Sequence, residues 1–307
     1  MNMTETQQKS PWTDLLFLIL LTFASIFCVS LLLGAVGLLI SGNLDFFTEI
    51  SNPDRPVSYY SYLFLGLSSA ATFILPAYIF QRMKKQVEMF PKQNLTNWKM
   101  YLLGILFLFA FAPCMSLISE WNANMRLPEI WRGIEEWMRM KEDEMALLTE
   151  NLVMTTDLHR LLLNVVVIAI LPAIGEELFF RGALQHIGAR IFKNEYVAIW
   201  VVALVFSAIH VQFYGFFPRL LLGVFFGYMV VWTKNIWTAV VAHFVNNVMV
   251  AVWAFYYATQ GRSYADFMES GSYSIIVYLG SFVFSIIIAF IFYQYTTRIR
   301  LYGKRVD

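Results

Sequence analysis

Gly175-Glu176-Glu177-Leu178-Phe179-Phe180-Arg181 sets two carboxylates and a guanidinium inside an apolar run that reaches from about 158 to 192. In water these charges would be ordinary helix decoration. Near a bilayer centre each costs at least about 2.5 to 3.5 kcal/mol on insertion scales, so each needs compensation. Glu177 and Arg181 are spaced i,i+4, share a helix face and neutralise each other. Glu176, about 100° further round the helix, points well away from that pair. A membrane-level carboxylate with no partner on its own helix needs one elsewhere, or water, and marks a functional site by default.

The rest of the chain agrees that this run is membrane-embedded. Of 307 residues, 59% are hydrophobic and 14% charged, and the mean hydropathy is +0.59. Soluble domains carry about 25% charged residues, so the composition is that of an integral membrane protein. A net charge of +1 and a pI near 7.7 give no pull toward nucleic acid. Cys28 and Cys114 lie in apolar segments without metal-type or CxxC spacing and read as packing residues. The first hydrophobic run, 15–40, is too long for a signal-peptide core and has no small-residue cleavage site, so it reads as a true first span.

Windows able to cross about 30 Å of hydrocarbon occur at roughly 15–40, 58–80, 100–118, 158–182 or beyond, 196–214, 216–233, 236–258 and 275–295. The expected fold is all-α: one membrane domain over 1–307, a polytopic bundle of about eight spans without internal repeat or barrel pattern. Arg82, Lys84, Lys85, Lys92 and Lys99 in one loop, and Arg298, Arg300, Lys304 and Arg305 at the C-terminal end, mark cytoplasmic segments. Loops 41–57 and 120–157 are mostly acidic, and an even span count places both termini in the cytoplasm. Trp98, Tyr101, Trp200 and Trp232 suit an aromatic belt, with His159 and His186 interfacial and Arg190 and Lys193 as anchors.

The long extramembrane piece, 120–157, repeats Leu127, Ile130, Trp131, Ile134, Trp137, Met138, Met145 and Leu148 at near-helical spacing among charged residues. It reads as an amphipathic helix on the membrane surface or over the bundle, either a structural cap or a substrate gate.

Three further polar insertions fall on two other spans: His210 in the run Phe206-Ser207-Ala208-Ile209-His210, and His243 with Asn247, spaced i,i+4, in the next but one. Singly, each could be interhelical glue worth about 1 kcal/mol. Together, a Glu, two His and an Asn on three helices form a kit for hydrolysis. Peptide hydrolysis needs an activated water, a proton donor for the leaving amine and donors at the developing oxyanion. Glu176 suits the general base, with His210 orienting the water or sharing the proton, and His243 and Asn247 as oxyanion donors. Glu177 and Arg181 would support the helix without touching substrate.

The same atoms allow a rival use. Glu176, His210 and His243 make a two-His, one-Glu set of the kind that holds catalytic Zn2+. The chain has no HExxH motif, and Asn247 has a role as oxyanion donor but none as a zinc ligand. Metal-free water activation is therefore preferred, with a zinc metalloprotease as the alternative.

In this order on successive membrane helices, Glu176-Glu177-x-x-x-Arg181, Phe206-x-x-x-His210 and His243-x-x-x-Asn247 resemble the motifs of the CPBP family (CAAX protease and bacteriocin-processing, or Abi) of intramembrane endopeptidases, which includes the Ras-converting CAAX prenyl endopeptidases. EExxxR alone is a weak pattern; the ordered set is a strong one. The resemblance covers about 158–258, a catalytic four-helix core. It implies Glu176 as catalytic glutamate, His210 as its water-positioning partner, His243 and Asn247 as the oxyanion site, and Glu177 with Arg181 as the supporting pair. It implies a membrane-associated peptide or protein substrate and a lipid environment, with no nucleic-acid partner and no named substrate. The compact chain suggests a prokaryotic protein in the inner (cytoplasmic) membrane.

Depth sets a condition on this reading. A fourth helix ending near Arg181 would leave Glu176 close to one face and His210 about 21 Å away across the membrane. A long helix over 158–192, tilted or bent at Pro172, brings them level. The alternatives are a proton-coupled transporter, for which paired repeats or broken helices are expected, and a non-catalytic scaffold with no cavity joining the four polar residues.

Overall fold

The computed structural model describes residues 10–41, 57–84, 97–269 and 272–302. Lys85, Lys92, Lys304, Arg305 and most of the acidic loop 41–57 lie outside them. The helices are α1 (Pro11–Ser41), α2 (Tyr59–Met83), α3 (Trp98–Ala123), α4 (Arg132–Val153), α5 (Leu158–Phe192), α6 (Glu195–Ala208), α7 (Phe216–Thr233), α8 (Ile236–Thr259), α9 (Tyr264–Met268) and α10 (Ile275–Tyr302). No strand occurs among the described residues. The protein is an all-α membrane bundle.

Seven of these helices are long and apolar enough to cross a membrane, and the eighth expected span is the exception. α6 has 14 residues, about 21 Å at 1.5 Å per residue, which is short of the hydrocarbon thickness. The chain leaves the helix at Ile209, and Val211 takes a left-handed φ of 54°. Ser207 Oγ then donates to the Phe216 carbonyl at 2.6 Å, which stitches the end of α6 to the start of α7.

Polar ties fix which helix ends share a face. Asp14, at the start of α1, pairs with Lys84 after α2 and with Arg190 near the end of α5, each at 2.5 Å. Lys234 after α7 pairs with Glu195 at the start of α6 at 3.0 Å. Asn235 donates to the Tyr101 hydroxyl in the first turn of α3 at 3.4 Å. α10 runs antiparallel to α3, with Ser281 Oγ donating to the Ala110 carbonyl at 2.6 Å and Cys114 Sγ to that of Tyr278 at 3.3 Å. The start of α1 and the end of α10 therefore lie on one face, together with Lys84, Lys99, Arg190, Lys193 and Lys234.

α4 lies at the opposite face. A carboxylate makes its elbow: Glu135 accepts from the Leu127 amide at 2.8 Å, from Arg126 at 3.0 Å and from Arg139 at 2.9 Å. The helix is seated at both ends. Near its start Trp137 packs on Phe213 and Arg139 stands 4.3 Å over the Tyr214 ring. At its end Asn164 donates to the Leu152 carbonyl at 2.7 Å, while Leu152 and Val153 join Tyr62, Val167 and Ala254 in one apolar cluster.

α5 is the long form that the depth argument requires, with 35 residues, about 52 Å. Two π-helical stretches, Val165–Ile170 and Glu177–Leu184, interrupt its α-helical pattern. Pro172 has no N–H to return to the carbonyl four residues earlier, and a widened turn there accommodates it. Ala173, Leu178, Ala183 and Ile187 pack with Phe80, Ile236 and Val240 into an apolar core that lies mostly between Glu176 and the cationic face. Gly175 lets α5 lie against α2, since a Cβ there would stand 2.9 Å from Ile74 Cγ1 and 3.2 Å from Phe73 Cβ.

Two consequences are measurable. Gly175→Val forces α5 off α2 and is expected to cost about 1 to 3 kcal/mol, read as a lower Tm in detergent. Gly34→Ala, with nothing within 4 Å of its added Cβ, is expected to be neutral or to gain up to about 1 kcal/mol. The Glu135 carboxyl is held down to about 2, first by the Leu127 amide and then by Arg126 and Arg139. Because that value lies below the ordinary 4.5, the elbow's stability is fully present above about pH 4.5 and is lost as pH falls toward 2. Hydrogen-exchange protection of the Leu127 amide is expected to drop over that interval, and Glu135→Gln to remove it at neutral pH. Unchanged protection in that variant would refute the elbow's role.

Candidate active site

The middle of α5 supplies Glu176, Glu177 and Arg181, and the neighbouring helices bring residues to each. Glu177 is 0% and Arg181 3% exposed. Arg181 Nη1 lies 3.0 Å from Glu177 Oε1, the i,i+4 pair expected from the spacing. The same Oε1 receives His243 Nδ1 from α8 at 2.9 Å. Arg181 Nη2 donates across to the Gly223 carbonyl of α7 at 3.0 Å. Its guanidinium stands 4.7 Å from the Phe206 ring centroid and 5.6 Å from that of Phe226, where aromatic faces favour a cation.

Glu176 is 8% exposed and lines a cavity of about 790 Å³ together with His210 and Asn247. His243, 5% exposed, sits behind it with Nε2 3.9 Å from Glu176 Oε2. That gap is too long for a direct hydrogen bond. The His243 ring stacks on Phe226 at 5.0 Å, so its plane is set by packing as well as by Glu177.

His210 occupies the turn after α6. Its Nδ1 lies 2.7 Å from the Phe206 carbonyl, which can only accept, so Nδ1 carries the proton and Nε2 keeps its lone pair in the neutral ring. Glu177 fixes His243 in the same sense. The turn is strained where it passes Val211, a β-branched residue at φ 54°, a conformation that costs of order 1 to 3 kcal/mol. Phe206 meets the rings of both histidines edge-on, at 5.1 and 6.3 Å.

Asn247 Nδ2 donates to the Ile168 carbonyl at 3.1 Å, and its Oδ1 accepts from Asn246 Nδ2 at 3.1 Å. Ile168 is four residues before Pro172, so Asn247 satisfies a carbonyl that proline leaves without its helical donor. One amide N–H of Asn247 is committed there and the second remains for the cavity.

Two neighbours escaped the sequence reading. Arg219 on α7 donates to Gln212 Oε1 at 2.8 Å and to the Gln212 carbonyl at 3.4 Å, bracing the turn that carries His210. Glu142 on α4 accepts from the Tyr214 amide at 3.3 Å, and its carboxyl is pushed up by burial, against the pull of that amide and of Arg219. An arginine inside an otherwise apolar window, 216–233, was the available signal. Glu176, His210 and His243 were the candidate zinc ligands, but among the described residues no three His, Cys, Asp or Glu side chains are grouped to hold a metal ion.

The family of type II CAAX prenyl endopeptidase Rce1-like proteins matches residues 158–249. An uncharacterised protein of Bacillus subtilis (strain 168), YpbD, is 29% identical over 93 residues, which is 29% of this chain. The match spans 44% of that relative's length. No solved structure matches. The matched stretch, 158–249, carries Glu176, Arg181, His210, His243 and Asn247, and its similarity is to the family that the ordered motifs resemble.

Proposed function

We propose that the protein is an intramembrane endopeptidase that hydrolyses a peptide bond of a membrane-associated protein or peptide. One observation carries this reading: Glu176 is buried at membrane depth and still lines a roomy cavity with His210 and Asn247. The family match over 158–249 supports a membrane protease of the CAAX type.

In this mechanism a water sits between Glu176 and His210. Glu176 takes one proton as general base while His210 Nε2 accepts a hydrogen bond from the other O–H, which stays on the oxygen, and so aims its lone pair. The water oxygen adds to the substrate carbonyl carbon. The resulting oxyanion takes the free N–H of Asn247, and that of His243 Nε2 when this ring carries its second proton. The C–N bond then breaks as Glu176 returns its proton to the leaving amine. Glu177 and Arg181 act as positioning residues: they orient His243 and never touch substrate. No step in this reading needs a metal.

Residues 158–258 are the catalytic core in this reading and 120–157 its extramembrane cap. The cationic face, with the start of α1 and the end of α10, is cytoplasmic by the positive-inside rule, and the membrane is the bacterial inner membrane.

Purified protein and a quenched peptide library test the chemistry. Glu176→Gln is expected to lower cleavage at least about 10³-fold, His210→Ala about 10² to 10⁴-fold and Asn247→Ala about 10² to 10³-fold, with wild-type activity indifferent to chelators. Cleavage that survives Glu176→Gln sinks the mechanism, and zinc-restorable loss on chelation decides for the metalloprotease. Arg181→Leu separates support from chemistry. It strands a buried carboxylate and is expected to cost about 3 to 5 kcal/mol of stability, whereas Glu176→Gln leaves Tm near wild type.

A further inference from the structure

The cavity draws its walls from one half of the bundle. α2 contributes positions 61–73, α5 positions 167–176 and α8 positions 247 and 250, while 209–212 and the last third of α4 complete it. These segments run from the middle of their helices toward the ends remote from the Asp14–Lys84–Arg190 and Glu195–Lys234 ties. On α5 Glu176 is the lining residue nearest the cationic end, and beyond it Leu178, Ala183 and Ile187 are packed against Phe80, Ile236 and Val240.

A separate polar cavity opens toward the cationic face, lined by Arg181, Gln185, His186, Glu195 and Lys234 among others. It measures about 270 Å³ and its lining does not include Glu176. Ligand pockets run from about 300 to 1,000 Å³, so this one is too small for a peptide segment and the chamber at Glu176, about 790 Å³, is not.

Charge gives these two sides an address. The sequence segments 81–99 and 298–305 carry nine lysines and arginines and Arg190, Lys193 and Lys234 add three on the face of the ties, whereas the segment 120–157 that roofs the chamber carries four, with Arg160 and Arg262 beside it. By the positive-inside rule the chamber's side faces away from the cytoplasm.

We propose that the chamber is loaded from the outer side of the membrane, beneath α4, and that its substrate is an apolar peptide segment presented there rather than a cytosolic protein tail. Phe64, Leu65 and Phe73 form the apolar wall along which such a segment lies, ending at Glu176. The identity of the substrate rests on the peptidase reading; the sidedness does not.

The test uses full-length protein with Cys28 and Cys114 replaced by serine and one new cysteine at a time. Thr149→Cys lines the chamber, and Lys234→Cys lies on the cationic face. With a membrane-impermeant maleimide, Thr149→Cys is expected to label in intact spheroplasts and Lys234→Cys only in inverted vesicles. The reverse pattern overturns the proposal, as does labelling of both from one side or no labelling of Thr149→Cys from either. A second arm gives oriented proteoliposomes an impermeant quenched apolar peptide, and only those with the α4 face outward are expected to cleave it. The expected labelling without cleavage in either orientation would dismiss the peptidase reading and leave the sidedness standing.

Discussion

The contact between Arg181 and Glu177, 3.0 Å long and almost wholly removed from solvent, is the constraint that the core helices satisfy jointly. Two such charges are tolerated when neighbouring groups that favour charge stand against them. α8 supplies His243 to Glu177, α7 supplies the Gly223 carbonyl to Arg181, and α6 supplies the Phe206 ring. The contact thereby fixes the rotation of all three helices about α5. A carboxylate with nearer partners would leave His243 free, and the ring would lose the anchor that points its Nε2 at Glu176.

α7 can serve in this way because of two glycines one turn apart. A Cβ on Gly223 would come within 3.1 Å of Ala203, and one on Gly227 within 2.8 Å of Ile199, so the backbones of α6 and α7 meet closely. That closeness presents the carbonyls of 223 and 227 to Arg181 and Gln185, themselves i,i+4 on α5, at 3.0 and 3.4 Å. Pro172 does the corresponding work from the other side. It releases the Ile168 carbonyl, and Asn247 takes it up. The second oxyanion donor of the proposed mechanism is thus held in place by a defect in the very helix that carries the glutamate.

Much of this was legible in the sequence because membrane depth makes polar residues conspicuous. The i,i+4 spacing of Glu177 and Arg181, the helical face shared by His243 and Asn247, and the breaking power of Pro172 each follow from one-dimensional spacing. The early end of α6 did not follow. Ile209, Val211 and Phe213 continue the apolar pattern, and the turn uses valine at positive φ in place of the glycine or asparagine that would have announced it. Nor did spacing reveal that Glu177 serves two helices. A shared carboxylate oxygen is a property of the packed bundle, whereas the sequence shows only which cations lie within a helical turn.

The lengths of α5 and α6 set the depth of the site. Counted from the tight turn between α5 and α6, Glu176 lies 16 residues before Phe192, about 24 Å, and Ala208 lies 13 residues beyond Glu195, about 20 Å. The two helices run antiparallel from that turn, so the glutamate and the turn that carries His210 come level within about one helical pitch. Had α5 ended at Arg181, the first distance would have been about 8 Å and the two side chains could not have shared a cavity. The eleven residues from 182 to 192 reach past the buried pair to the cationic face, where Arg190 ties to Asp14. They set how deep the chamber reaches, and the shortness of α6 is matched to them. The stop at Ala208 sets the turn that carries His210 at the level of the glutamate.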